Sequence, residues 1–310
     1  MKRADLPMPL MIAACSNRKR PPPKVHAADL AVGSTETIGR DWVARLSGLP
    51  RQPAAQLYCG RSVRDAERAA RSLGADLLFA SAGLGWIRAT DLVPSYGMTI
   101  VARNDNVLDL IEGEASAEAW WRWLKDASPF GTSLADAVAM TSGLVLVALP
   151  RAYLAMVEAD LLALPERQRN RLRIIQRRSS VRAKLQAWTL TYDDRLEAGD
   201  KYAGTRADFA ARAARHFVER VLPGHSLGDA RAHEDAVQNA LAAWTATPVR
   251  VGLRRSDSDL RRVVERHWDQ AEGRTTRLLR ILRDDLGIAC EQGRFARLVS
   301  AMRAERTAVR

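Results

Sequence analysis

Apolar positions along the chain fall into two kinds of stretch. Short unbroken runs over residues 9–15, 76–81 and 144–149, each bounded by polar or turn-forming residues, predict strands buried on both faces. Residues 171–176 predict an edge strand. Between these runs the apolar residues recur every third or fourth position. Residues 63–73 place Ala66, Ala69, Ala70 and Leu73 on one stripe with arginines opposite, and Ser62 stands where an N-cap belongs. Further helices are predicted after Ser116, over 152–164 and over 205–222, the last stopped by Pro223-Gly224. Buried strands alternating with helices predict an α/β fold, three layers built on a mostly parallel central sheet.

The pattern changes near Ser226, after which only helices are predicted: 229–244, 258–268, 275–286 and 294–305. The expected division is therefore an α/β base-binding or catalytic domain over 1–224 and a helical domain over 225–310. In the last two helices Leu278, Leu279, Leu282 and Leu286 face Phe295, Leu298, Val299 and Met302 across the linker 287–293, a helix-turn-helix-like arrangement. Its Arg277 and Arg280 are candidates for a DNA backbone; the alternative is a docking module through which two copies of the chain form a homodimer.

Charge sharpens this picture. The net charge is +12 with an isoelectric point near 10.3, and arginine supplies most of the excess. Its planar fork suits phosphate, so DNA is the leading partner; a basic surface kept for solubility is the plainer account. Residues 166–184 hold eight basic residues and one acid, from which Arg177, Arg178 and Arg182 are read as backbone contacts, against the alternative of a solvated face. Asp193 and Asp194 are read as turn residues. Three tryptophans on one helix (Trp120, Trp121, Trp123) are read as packing rather than as a base-stacking platform.

Cys15, Cys59 and Cys290 are widely spaced and odd in number, which predicts neither disulfides nor a zinc site and fits a cytoplasmic protein with reduced thiols. The five histidines lack ligand spacing, so no metal and no cofactor are expected. The apolar N-terminal run is short, broken by Pro7 and Pro9, and reads as a first strand rather than a signal segment; no stretch reaches membrane-span length.

The candidate chemistry lies where predicted strands end, since open α/β sheets bind ligands outside the carboxyl ends of their strands. The first strand runs into Cys15-Ser16-Asn17-Arg18-Lys19, which offers amides and a cation to a phosphate or carboxylate but lacks the glycines of a Walker loop. Strand 76–81 empties into Ser81, Ala82, Gly83 and Gly85, followed by Asp91, Pro94, Ser95 and Tyr96. Leu57-Tyr58-Cys59-Gly60-Arg61 precedes the arginine-rich helix.

These three stretches, in this order, resemble the YaaA-like proteins, a family of peroxide-stress proteins and related phage and bacterial domains. The motif Cys15-Ser16 with Lys19 is also similar to that of archaeosine synthases, which act on a deazaguanine base. The resemblance covers roughly the first hundred residues and implies a uracil-DNA-glycosylase-like fold with a nucleobase or nucleic-acid ligand. Related defence enzymes are thought to excise modified bases from phage DNA.

The reaction expected on this basis is hydrolysis of the N-glycosidic bond of a modified base flipped out of the stack, leaving an abasic site. Asp91 is the candidate to stabilise the cationic sugar, and Asn17 stands where glycosylases of the implied architecture position water. Lys19 is read as a phosphate anchor or an attacking amine. Cys15, Ser16, Gly60, Ser81, Gly83 and Gly85 are assigned to the base and phosphate pocket, Tyr58 and Tyr96 to stacking or hydrogen bonding, and Arg61 to the backbone. The rival readings are a DNA-binding stress protein without catalysis and a base-modifying transferase resembling archaeosine synthase.

Overall fold

A computed structural model describes residues 8–101, 104–246 and 253–308. The chain forms two compact units, divided between Thr247 and Pro248. The first is an α/β unit whose strands in chain order are β1 (Leu10–Ala14), β2 (Arg51–Pro53), β3 (Asp76–Ser81), β4 (Gly85–Arg88), β5 (Leu92–Pro94), β6 (Val145–Ala148), β7 (Leu172–Arg177) and β8 (Thr189–Tyr192). Six of them make one sheet in the order β4-β3-β1-β6-β7-β8, and β2 pairs antiparallel with β5 in a separate ribbon.

The sheet is parallel except for β4, which runs antiparallel to β3. Ile12 sits opposite Leu78 on one side and Val147 on the other, so β1 is central. Every residue of β1 and β6 is buried, which is why these strands are unbroken apolar runs. The chain moves from β1 outward to β3, then crosses to the other side of β1 for β6, β7 and β8. The carboxyl ends of β1 and β6 therefore flank a topological switch point.

Two expectations change at the sheet. The segment after Ser81 is no open loop: Ala82–Leu84 form a tight turn into β4, with Gly85 at φ +91°, a region that suits glycine. Residues 172–177 are not at the edge, because β8 pairs outside them. Both outer strands have their free backbone occupied. Trp86 of β4 bridges to Thr132, whose N–H donates to the Trp86 carbonyl at 2.8 Å. On β8 the Thr191 N–H donates to Glu234 at 2.6 Å, and its carbonyl accepts from Gln238 at 2.7 Å.

The helix Arg61–Leu73 packs with Phe209–His216, and Ala117–Ala127 packs with Arg151–Ala163 and Thr35–Ser47. Ser116 caps the tryptophan helix by accepting from the Ala119 N–H, and Trp120 and Trp121 are buried, as the packing reading expects. The helix Arg61–Leu73 starts two residues before the expected point, with Gly60 rather than Ser62 in the cap position. The helix Ala230–Ala242 packs on β8 through Ala236, Val237 and Leu241, so it belongs to the α/β unit. This moves the division from 224/225 to 247/248.

The second unit holds helices over Asp257–Arg266, 275–285 and Gln292–Ala308, with a two-residue parallel pairing of Leu253–Arg254 and Ile288–Ala289. Leu260, Val264, Leu278, Leu282, Phe295, Leu298, Val299 and Met302 form its own core; Leu286 is largely exposed. Among the described residues no helix is long and apolar enough to cross a membrane.

Candidate active site

The end of β1 and the segment before the helix Arg61–Leu73 are zipped together. The Cys59 N–H donates to the Arg18 carbonyl at 3.0 Å, the Arg20 N–H to the Leu57 carbonyl at 2.9 Å, and Lys19 bridges Tyr58. The Ser16 hydroxyl points into this zipper, between the Arg18 and Cys59 carbonyls. Lys19 folds back so that Nζ donates to the Ser16 carbonyl at 2.8 Å and lies 4.1 Å from the centre of the Tyr96 ring. Only 7% of Lys19 is exposed. Burial holds its ammonium below the ordinary lysine value, opposed by Cys15, Asp105 and Cys59.

Tyr96 and Tyr58 meet oxygen to oxygen at 2.9 Å, and Tyr96 also bonds Ser81. Ser81 Oγ accepts from the Leu84 and Gly83 amides at 3.0 and 3.3 Å, which leaves its proton to donate to a phenol. Burial, reinforced by Cys15, pushes both phenols well above their ordinary value, so they remain O–H donors at neutral pH. Gly83 packs beneath Tyr96: a Cβ there would fall 2.5 Å from the ring. On the far side Tyr153 reaches Cys15 Sγ at 3.7 Å from the first turn of the helix that follows β6.

The structure thus brings together Cys15, Ser16, Lys19, Tyr58, Ser81, Gly83 and Tyr96. Asp91 is not among them. It sits at the opposite end of the β3–β4 hairpin, where its carboxylate accepts from the Arg88 N–H at 2.7 Å. Because the Ala89 N–H bonds the Leu77 carbonyl, about four strand residues, roughly 13 Å, separate that end from Ser81. The physical reason is β4: the chain turns back along β3 instead of lingering at its carboxyl end. Asn17 is exposed on the loop. Gly60 holds φ +119° at the helix start, and Arg61 is turned to the Ala203 carbonyl and Asp208.

Several contributors do not stand out in the sequence. Asp105 pairs with His26 at 3.2 Å and its charge acts on Lys19. Gly97 lies under this pair, where a Cβ would come within 2.3 Å of His26 Nδ1. Tyr153 and Arg151 share the first turn after β6, a strand end marked in sequence by Pro150 but read only as a boundary.

Beside the cluster, a cleft of about 450 Å³ opens between the carboxyl ends of β6 and β7, lined by Arg151, Arg177, Ser179, Ser180, Asp194 and Arg206 among others. A more open recess next to it holds Arg178, Arg182 and Lys184. The dense basic run divides by role. Arg169 and Arg171 donate to backbone carbonyls, and Arg173 is buried against His233 at 2.7 Å. Arg177, Arg178 and Arg182 reach the recesses while pairing with Asp194, Asp193 and Glu158. Asp193 does cap a turn, yet it and Asp194 also serve as counter-ions. In the second unit Arg277 pairs with Glu272 and Arg280 with Asp284.

Among the described residues no group of three or more His, Cys, Asp or Glu side chains is placed to hold a metal ion. No family model, curated protein or solved structure matches the chain.

Proposed function

We propose that the chain is a DNA base-processing enzyme of YaaA-like, uracil-DNA-glycosylase-like architecture, cleaving the N-glycosidic bond of a modified nucleobase. The observation that supports this most directly is Lys19, an amine stripped of water at the switch point and lying on Tyr96, with the Asp105 charge acting on it. A desolvated lysine is a competent nucleophile. Its attack on the sugar C1′ forms a C–N bond as the base leaves with the glycosidic electron pair. The bonded O–H groups of Tyr58 and Tyr96 hydrogen-bond the departing base, which takes up the proton that the attacking amine gives up, and the Asp105 charge counters the positive charge that builds on the amine. The C1′–O4′ bond then opens, its electron pair and a proton going to the ring oxygen, to give an imine; water hydrolyses this, returning the Lys19 amine and releasing an abasic site. In this reading Asp105 takes the electrostatic role first expected of Asp91, and the helix pair of the second unit is a helix-turn-helix-like aid to DNA binding.

DNA from phages with modified and unmodified bases, incubated with the protein, should yield free base and alkali-labile sites, and borohydride should trap a covalent protein–DNA adduct. Lys19→Met should abolish adduct and release while DNA retention persists; Asp91→Asn should leave release intact. Base release without an adduct removes Lys19 as the nucleophile, and no released base from any DNA ends the glycosylase reading. One observation favours a binder without catalysis: Tyr58, Ser81 and Tyr96 are at most 2% exposed, so a base enters only if the Lys19 loop moves. That reading predicts DNA retention with neither product.

A further inference from the structure

We propose that the cleft between the carboxyl ends of β6 and β7 is a binding site for the phosphate of a nucleotide unit, separate from the Lys19 cluster. Two of its arginines are the basis. Arg151, at the first position of the helix Arg151–Ala163, and Arg206, on the turn Arg206–Asp208, are exposed, and neither has a carboxylate partner among the described residues. Both line one recess with Arg177, which is held by Asp194 and stacked 4.7 Å from the centre of the Phe209 ring.

Positive charge is therefore concentrated rather than cancelled. Burial, then the Arg206 charge, lowers the Arg177 guanidinium from its ordinary value. Two planar forks and the Ser179 hydroxyl line this one recess, and these are the donors that phosphate recognition uses. Asp194 adds an acceptor of the kind a sugar hydroxyl takes, and Leu149, Leu154, Ile175 and Phe209 give an apolar wall. The volume, about 450 Å³, falls in the range of small-ligand sites. Phosphate, sugar and apolar surface together describe a nucleotide unit, free or within a strand.

The loop that presents Arg206 is anchored for the purpose. Arg212, 1% exposed, pairs with Asp208 at 2.7 Å and Glu197 at 2.8 Å and donates to the Tyr202 and Thr205 carbonyls. The turn that carries Arg206 into the lining of the cleft is thereby fixed by a buried neighbour.

The proposal stands independently of the chemistry at Lys19 and is tested by binding alone. The full chain and its Arg151→Gln/Arg206→Gln variant are titrated with a 5′-mononucleotide, inorganic phosphate and a single-stranded oligonucleotide over a range of salt. The paired substitution Arg71→Gln/Arg122→Gln, at exposed positions outside the cleft, serves as control. The cleft variant should lose oligonucleotide affinity by about tenfold or more, and its log affinity against log salt should flatten by about 1.4, the slope of two single-strand phosphate contacts. The control should lose much less. Mononucleotide binding that disappears with the two arginines assigns the site to a free nucleotide; loss confined to the oligonucleotide assigns it to a strand phosphate. Arg206→Glu should weaken the bound ligand further than the glutamine change. A cleft variant that binds every probe as the control does, with unchanged circular dichroism, overturns the proposal. Lys19→Met, which removes turnover in the excision reading, should leave these affinities unchanged, so the two proposals fail separately.

Discussion

At the scale of single residues, the site depends on what small side chains leave room for. Gly83 has no steric reason from its own φ, but its missing Cβ is the space that Tyr96 fills, with Trp42 3.3 Å away on the other side. Gly83→Ala should force the Tyr96 ring off Ser81 and cost about 1–3 kcal/mol, the usual penalty for overpacking. Urea unfolding should show this as a lowered midpoint at unchanged slope, and any base release should fall with it. Residue identity and sequence order were enough to group Lys19, Tyr58, Ser81 and Tyr96, which the fold does bring together, because a strand end rich in small polar residues is a recognisable place. They were not enough for Asp91. A carboxylate three residues after Arg88 looks the same in sequence whether it faces a ligand or closes a turn, and only the return of β4 along β3 decides.

At the scale of elements, continuous apolar runs located β1, β3 and β6 to within a residue or two, since strands buried on both faces have little else to be. The pattern failed where pairing rather than burial defines the strand. Gly85–Arg88 carries a tryptophan and an arginine in four residues and becomes a strand by bonding to β3. The basic run 166–184 was legible as a concentration of charge, not as three separate uses of it, because backbone carbonyls and His233 leave no trace in composition. The amphipathic pattern predicts a helix from residue 205, whereas Arg206–Asp208 form a separate short turn before Phe209–His216, and the anchoring role of Arg212 has no mark in a run of alanines and arginines. Arg212→Met should destabilise the unit by about 3–5 kcal/mol, since it strands Asp208 and Glu197 next to a buried wall. The same variant should bind mononucleotide more weakly, as Arg206 loses its support; isothermal titration and urea unfolding read the two effects apart.

At the scale of the whole molecule, two buried histidines contribute to how stability follows pH. Burial, then the Arg220 charge, depresses His216 to about 4, and its Nδ1 lies 3.0 Å from the Tyr192 hydroxyl. Burial likewise lowers His233, which accepts from Arg173 through Nδ1. A depressed histidine is neutral when folded and ordinary when unfolded, so the unfolded chain takes up more protons below the model-peptide value of about 6.5. Stability from these groups is fully present above that pH and is lost as the pH falls towards about 4. Urea midpoints measured across that range should be level at neutral pH and decline through the acid limb, and His216→Gln should flatten the decline. Division into two units was foreseen, but its position was not: amphipathic helices look alike whichever core they join, and Ala230–Ala242 joins the sheet through Val237 and Leu241.

Glu234 and Gln238 give that helix a second consequence. By occupying the outward amide and carbonyl of Thr191, they close the last rung of the ladder, much as Thr132 does at Trp86 on the opposite margin. A margin whose outward amide and carbonyl are already bonded is a poorer template for a foreign strand. At those two positions the six-stranded sheet is closed to the backbone pairing by which an exposed β-edge recruits another strand.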